Sequence, residues 1–150
     1  MFEKTMIAGW ADMDFNSHMR NTAYLDRSAD IRMMFFAENG FPMSEFVRLR
    51  LGPVVREDEI RYLSEIGLLE SFRMSLVVAG LAVDGSNFRM QNEVRRADGK
   101  LAARITSAGG WLNLDQRKLT APPEGLLVAL QKLPRTEAFE ELPPIIKAPG

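Results

Sequence analysis

The sequence predicts an α+β domain in which a curved antiparallel sheet wraps one long helix. Three features point there: an apolar helical stripe through residues 22–39, period-two alternation of apolar residues between 70 and 114, and Asp-Gly pairs that punctuate that second stretch. A helix this apolar needs cover over much of its circumference, and a sheet with one apolar face needs something to bury, so each completes the other.

Residues 2–10 read as a first strand. In the helix that follows, Leu25, Ala29, Met33 and Phe36 form one stripe, with Tyr24, Ser28, Ile31 and Phe35 beside it. Asn21 is the expected N-cap, because its side chain can accept from the free N–H groups of the first turn. Gly40, followed by Phe41 and Pro42, supplies the stop. A second strand is expected near 54–65. Phe72, Met74, Leu76 and Val78 then alternate, as do Leu101, Ala103 and Ile105, with Phe88, Met90 and Val94 on a strand between them. Asp84-Gly85 and Asp98-Gly99 read as two-residue hairpin turns, which makes 70–114 a three-stranded meander.

Composition shifts near residue 120, beyond which six of the eight prolines lie. Residues 1–120 are accordingly read as the domain. Residues 121–150 are read as a proline-rich tail that packs on it through a short helix at 124–132, where Leu126, Leu127 and Leu130 stand at helical spacing, and then frays.

A chain of 150 residues, 46% of them hydrophobic, suits a single core. The 19 basic side chains nearly cancel 20 acidic ones, so no global field draws nucleic acid or an anionic membrane, and any phosphate binding must be local. The absence of cysteine excludes disulfides, thiolate metal sites and a cysteine nucleophile. The opening MFEKTMIAGW lacks the apolar core and cleavage site of a secretory signal, and no run approaches the ~18 apolar residues of a membrane span. A soluble cytoplasmic protein is the expectation.

Chemistry concentrates between the first strand and the helix. Asp12, Asp14, Asn16, His18 and Asn21 fall within ten positions, and His18 is the one histidine of the chain. They directly precede a helix N-terminus, whose free N–H groups can hold a developing oxyanion. Capping alone would account for Asn21 and part of Asp14, so composition does not decide between a polar turn and a site. Asp12-x-Asp14-x-Asn16 opens like a calcium loop, but Ser17 and Ala23 stand where that loop needs glycine and a bidentate glutamate, so no metal is expected. No G-x-S-x-G elbow is present for a serine hydrolase.

The pattern Asp12-x-Asp14-x-Asn16-x-His18-x-x-Asn21-x-x-Tyr24, set between a strand and a long apolar helix, resembles the signature segment of hotdog-fold thioesterases. It is similar to the 4-hydroxybenzoyl-CoA thioesterase-like group, in which the second aspartate of the loop is the catalytic carboxylate, here Asp14. Its D-x-N-x-H spacing is closer still to the plant acyl-carrier-protein thioesterases, which places their aspartate, asparagine and histidine on Asp14, Asn16 and His18. The later strands, from Gly52-Pro53-Val54-Val55 to Gly109-Gly110-Trp111, resemble those of bacterial members, so residues 5–123 are covered at fold level. Arg20 departs from the family's usual asparagine.

The resemblance implies a hotdog fold and hydrolysis of an acyl thioester on coenzyme A or an acyl carrier protein. The carrier is then part of the substrate, and no separate cofactor is expected. Asp14, Asn16 and His18 would be catalytic, and Asn21, Thr22 and Tyr24 would bind substrate, with Met13, Phe15 and the helix face lining the acyl pocket. A thiol of pKa about 8.5 leaves without a strong acid, so the requirement is a positioned base and an oxyanion site. Asp14 could deprotonate water or attack the carbonyl itself, and the general-base route is the one favoured. Arg73, Arg89, Arg95, Arg96, Lys100 and Arg104 could meet the carrier's phosphates, though such charges are more often solvated surface. The resemblance also implies a homodimer or a dimer of dimers whose sheets join. Two other readings stay open: a hotdog hydratase or dehydratase, and a non-catalytic acyl-thioester binding module.

Overall fold

The computed structural model describes residues 1–145. Its elements run β1 (Phe2–Ile7), a 3-10 turn (Trp10–Asp12), α1 (Asn21–Glu38), α2 (Met43–Leu49), β2 (Leu51–Tyr62), β3 (Ser71–Ala82), β4 (Phe88–Arg96), β5 (Leu101–Asn113), β6 (Lys118–Thr120), α3 (Glu124–Lys132) and β7 (Arg135–Leu142). The sheet has the order β1-β3-β4-β5-β2, with β6 paired to β5 and β7 running parallel to β3. α1 lies on its concave face. This is the α+β hotdog layout expected from the sequence.

The residues of α1 that are buried are Ala23, Tyr24, Ser28, Ile31, Phe35 and Phe36. The deepest face is thus the stripe of Tyr24, Ser28, Ile31 and Phe35, while Ala29 is exposed and Leu25 and Met33 are half-buried. Phe36 of the first stripe is buried as well. Ser28 can lie on the buried face because its hydroxyl donates to the Leu25 carbonyl at 2.7 Å. One flank of α1 is left open alongside β2.

Two apolar clusters fill the concavity. Phe36, Phe46, Phe88, Leu126 and Leu130 surround Trp111 at the C-terminal end of α1, with ring centroids 5.5 Å apart for Phe36 and Trp111. Ala23, Tyr24, Ile31, Phe72, Met74, Val94 and Ile105 form the second cluster, below the N-terminal end. Each such fully covered large side chain contributes about 1.5–3 kcal/mol, so the helix is clamped at both ends.

Several elements differ from the sequence reading. The first strand ends at Ile7 rather than near residue 10, because the 3-10 turn takes over. α2 was not foreseen; Phe46 is its one buried residue, so it carries no periodic stripe. The connections after β3 and β4 span residues 83–87 and 97–100 rather than two residues each. The first folds inward for a reason: Gly85, at φ +76°, turns its carbonyl to the Trp111 indole N–H at 2.9 Å, and a Cβ there would lie 2.8 Å from Pro122. The tail helix lies at 124–132 and buries Leu126 and Leu130 in the Trp111 cluster, but β7 follows it as a strand the sequence did not announce. Residues 135–142, where the sequence reading let the tail fray, thus pair with β3, and residues 146–150 lie outside the described residues.

β2 ends the sheet. Among the described residues no strand pairs with its outer edge, which carries exposed Glu57, Asp58 and Glu59 beside a bulge at Arg56.

Candidate active site at the N-terminus of α1

The loop before α1 folds around Asp14. One carboxylate oxygen, Oδ1, accepts the backbone N–H groups of Asn16 at 2.8 Å and His18 at 3.1 Å, while the Asp14 N–H donates to the His18 carbonyl at 2.8 Å. Ser17 closes the turn at φ +59°. Asp14 therefore caps its own loop and not the helix, so neither Asp14 nor Asn21 plays the capping role that a plain polar turn would require. The cap position of α1 is Arg20, whose side chain makes no capping bond. Its guanidinium instead reaches the Ala11 carbonyl, Thr22 Oγ1 and Asp26. The first-turn N–H groups are thus left uncapped by side chains, the arrangement an anion-binding helix terminus needs.

Asp12 anchors this loop to the helix. Its Oδ2 accepts the Gly9 N–H at 2.8 Å and Arg27 Nη2 at 2.7 Å. Burial pushes the carboxyl up, but the hydrogen bonds from Arg27 and Gly9 and the charges of Arg27 and Arg20 outweigh that and hold it below its ordinary value.

The opposite wall comes from the end of β2 and the connection to β3. Tyr62 Oη donates to the Asn21 carbonyl at 3.1 Å, and its ring meets Tyr24 edge-on with centroids 5.5 Å apart. Backbone bonds tie the two walls, with Met19 N–H to the Ile66 carbonyl at 2.7 Å. His18 Nε2 lies 3.2 Å from Glu65 Oε2. Between the walls is a cleft of about 310 Å³ lined by Asp14, His18, Asn21, Tyr24, Tyr62 and Glu65, among others. Burial, reinforced by Tyr62 and Glu65, pushes the Tyr24 phenol up to about 12, so it stays a neutral donor throughout the physiological range.

Of the residues singled out in the sequence, Asp14, His18, Asn21 and Tyr24 share the cleft. Asn16 and Thr22 do not line it, and both are exposed. Asn16 meets Asp14 through its backbone N–H rather than its side-chain amide. Phe15, expected in the acyl pocket, is 96% exposed at the tip of the turn, and Met13 packs against the second apolar cluster. Five of the basic candidates face intramolecular carboxylates: Arg73 with Glu3, Arg89 with Glu140, Arg95 and Arg104 with Glu93, and Arg96 with Asp98. Tyr62, Ser64 and Glu65 were missed. They stand some 40 residues from the loop (Tyr62 and Asn21 are 41 apart), and only tertiary folding brings them to it.

Among the described residues, no group of three or more His, Cys, Asp or Glu side chains is placed to hold a metal ion. Among the same residues, no helix is long and apolar enough to cross a membrane.

A long helix gripped by a curved antiparallel sheet, with an acidic loop at the helix N-terminus, defines a hotdog domain. The thioesterase-like superfamily model matches residues 8–130, and the chain belongs to that superfamily. No curated protein sequence matches it. Among solved structures, SAV2348 from Staphylococcus aureus, determined in complex with CoA, matches with a TM-score of 0.80 and 22% identity over 98% of this chain and 89% of that one. Slr0204, a 1,4-dihydroxy-2-naphthoyl-CoA thioesterase from Synechocystis, matches at 0.78 and 14% over 88% and 96%. The gentisyl-coenzyme A thioesterase BH1999 matches at 0.76 and 16% over 85% and 98%. At these identities the likeness establishes the fold.

Proposed function

We propose that this chain hydrolyses an acyl thioester, carried on coenzyme A or an acyl carrier protein, with Asp14 as general base and the N-terminus of α1 as the oxyanion site. The observation that carries the reading is the meeting of a carboxylate and an uncapped helix terminus in one cleft. Membership of the thioesterase-like superfamily, and structural neighbours described as CoA thioesterases, support it.

In this reading water attacks the thioester carbonyl as its proton passes to Asp14 Oδ2, since Oδ1 is already engaged by two backbone donors. The tetrahedral oxyanion meets the first-turn N–H groups of α1, where loss of one donor typically costs about 3 kcal/mol. The C–S bond then breaks, the thiolate leaves and takes up a proton, and the acid departs. Tyr24 and Tyr62 shape the cleft, and His18 and Glu65 close one side of it.

A homodimer, or a dimer of dimers, completes the proposal. The open edge of β2, the exposed flank of α1 and exposed apolar Phe15, Val55 and Leu63 are surfaces a second copy would cover.

The test is release of free thiol from short, long and aromatic acyl-CoA esters and then from acyl carrier protein esters. Turnover by the wild type supports hydrolysis. Binding of the esters without thiol release, across both carriers, would replace it with a binding module.

A further inference from the structure

Arg32 lies where α1 faces β2, two turns or more beyond the cleft. Its Nη1 donates to Ser28 Oγ at 3.4 Å and Ser107 Oγ at 3.3 Å. Both hydroxyls give their own protons elsewhere, Ser28 to the Leu25 carbonyl at 2.7 Å and Ser107 to Asp58 Oδ1 at 2.5 Å. Asp58 therefore reaches Arg32 only through a serine. Among the described residues, every other half-buried arginine has a carboxylate partner: Arg20, Arg27, Arg89, Arg95, Arg96 and Arg104. Arg32 alone has none, and its Nε and Nη2 donate to no protein acceptor there. Burial pushes its guanidinium below the ordinary value, with Asp58 opposing.

A half-buried cation without a direct counter-ion is costly, and the cost falls when an anion arrives with matched geometry. The space beyond Arg32, on the side away from the cleft, is apolar. It is a groove of about 160 Å³ between α1 and the start of β2, lined by Ala29, Met33, Phe36, Val55 and Phe88, so that Arg32 is the one charged side chain in an apolar wall.

Arg32 is also in line with the cleft. Asn21, Ser28 and Arg32 stand at 7- and 11-residue offsets, which fall on one face of a 3.6-residue helix. On β2, Tyr62, Ile60, Asp58 and Val55 lie opposite Ala103, Ile105, Ser107 and Gly109, all buried positions of β5 on the helix side. The guanidinium sits level with Ser28, about 10 Å along the axis from Asn21 at ~1.5 Å per residue.

We propose that Arg32 selects acyl groups that end in a carboxylate, so that the substrate is a thioester of a dicarboxylic acid whose free end lies about 10 Å from the thioester carbonyl. The proposal rests on the thioesterase reading of the Asp14 cleft and names the acyl class for it. The guanidinium would grip the carboxylate through the donors that the protein leaves free, while the methylene chain runs along half-buried Leu25 and Ile60 between the cleft and Arg32.

The experiment compares suberyl-CoA and sebacyl-CoA with octanoyl-CoA and decanoyl-CoA, in wild type, Arg32→Met and Arg32→Lys. Both kcat/KM for the thioesters and Kd for the non-hydrolysable thioether analogues are measured. Wild type should favour the carboxylated member of each pair by at least about tenfold, Arg32→Met should abolish or invert that preference, and Arg32→Lys should keep part of it. Equal treatment of each pair by the wild type overturns the proposal without any variant, as does a preference that survives in folded Arg32→Met. A change of oligomeric state in Arg32→Met, with the preference unchanged, would assign the guanidinium to a subunit contact instead. If thiol is released but no Arg32-dependent preference exists, only this proposal fails. If the thioethers bind with that preference but no thioester is cleaved, it is the hydrolytic reading that fails.

Discussion

Glu65 Oε2 stands 3.2 Å from His18 Nε2, while what His18 gives to Asp14 is a backbone N–H. The imidazole and the Asp14 carboxylate, the proposed base, are thus linked through the main chain. His18→Ala keeps that N–H, so it should lower kcat/KM by less than about tenfold, against the 10²–10⁴-fold expected for losing the general base at Asp14. Steady-state kinetics of the two variants side by side decide the matter: equal losses would mean that the ring itself acts on the carboxylate or the substrate.

The pair Asp12 and Arg27 fastens the site loop to α1, and Asp12 carries only 13% side-chain exposure. Asp12→Ala should destabilise the fold by about 2 kcal/mol, the range for a charge-assisted hydrogen bond. Because its folded pKa is lowered, the stabilisation stands in full above the unfolded value near ~3.9 and is lost as pH falls through the lower folded value. Urea unfolding from pH 7 to pH 3 should show the wild-type advantage over Asp12→Asn shrinking only at the acid end. An advantage that is flat with pH would contradict the assignment.

Tyr62→Phe removes the hydroxyl that donates to the Asn21 carbonyl but leaves the ring against Tyr24. One such bond is worth about 1 kcal/mol. The expected result is a several-fold lower kcat with global stability reduced by no more than the worth of that bond, read together with faster amide exchange at residues 21–24. No change in exchange would detach Tyr62 from the helix terminus.

Trp111 is fully buried among Phe36, Phe46 and Phe88, and its indole N–H is satisfied by Gly85. Trp111→Ala should cost about 3–5 kcal/mol. Gly85→Ala should also destabilise, because the residue holds φ +76° and its Cβ would meet Pro122 and Leu127. Thermal unfolding of both variants checks this, and a neutral Gly85→Ala would contradict the packed turn.

Periodicity exposed the main helix, the meander and the helix at 124–132 because each buries a repeating face. It did not rank the two stripes of α1, since Ser28 satisfies its hydroxyl on the helix itself and so hides a buried position behind a polar letter. α2 and β7 carried no such pattern: one is held by the single anchor Phe46, and the other pairs with β3 from a segment bracketed by Pro134 and Pro143. The local half of the cleft was legible, because Asp14, His18, Asn21 and Tyr24 are near neighbours in the chain. Tyr62, Ser64 and Glu65 were not, since nothing local ties the end of β2 to the helix terminus. Nor did the sequence show that Asp14 is cradled by main-chain donors, with the Asn16 side chain turned to solvent.

The most direct test of the account is the rate of thiol release by Asp14→Asn, with its fold verified by circular dichroism and unfolding, on the best wild-type thioester. The account predicts a fall of about 10²-fold or more in kcat, because the amide keeps the size and the contacts of Oδ1 but cannot take a proton from water. A folded Asp14→Asn that turns over at the wild-type rate would contradict it and move the chemistry away from this loop.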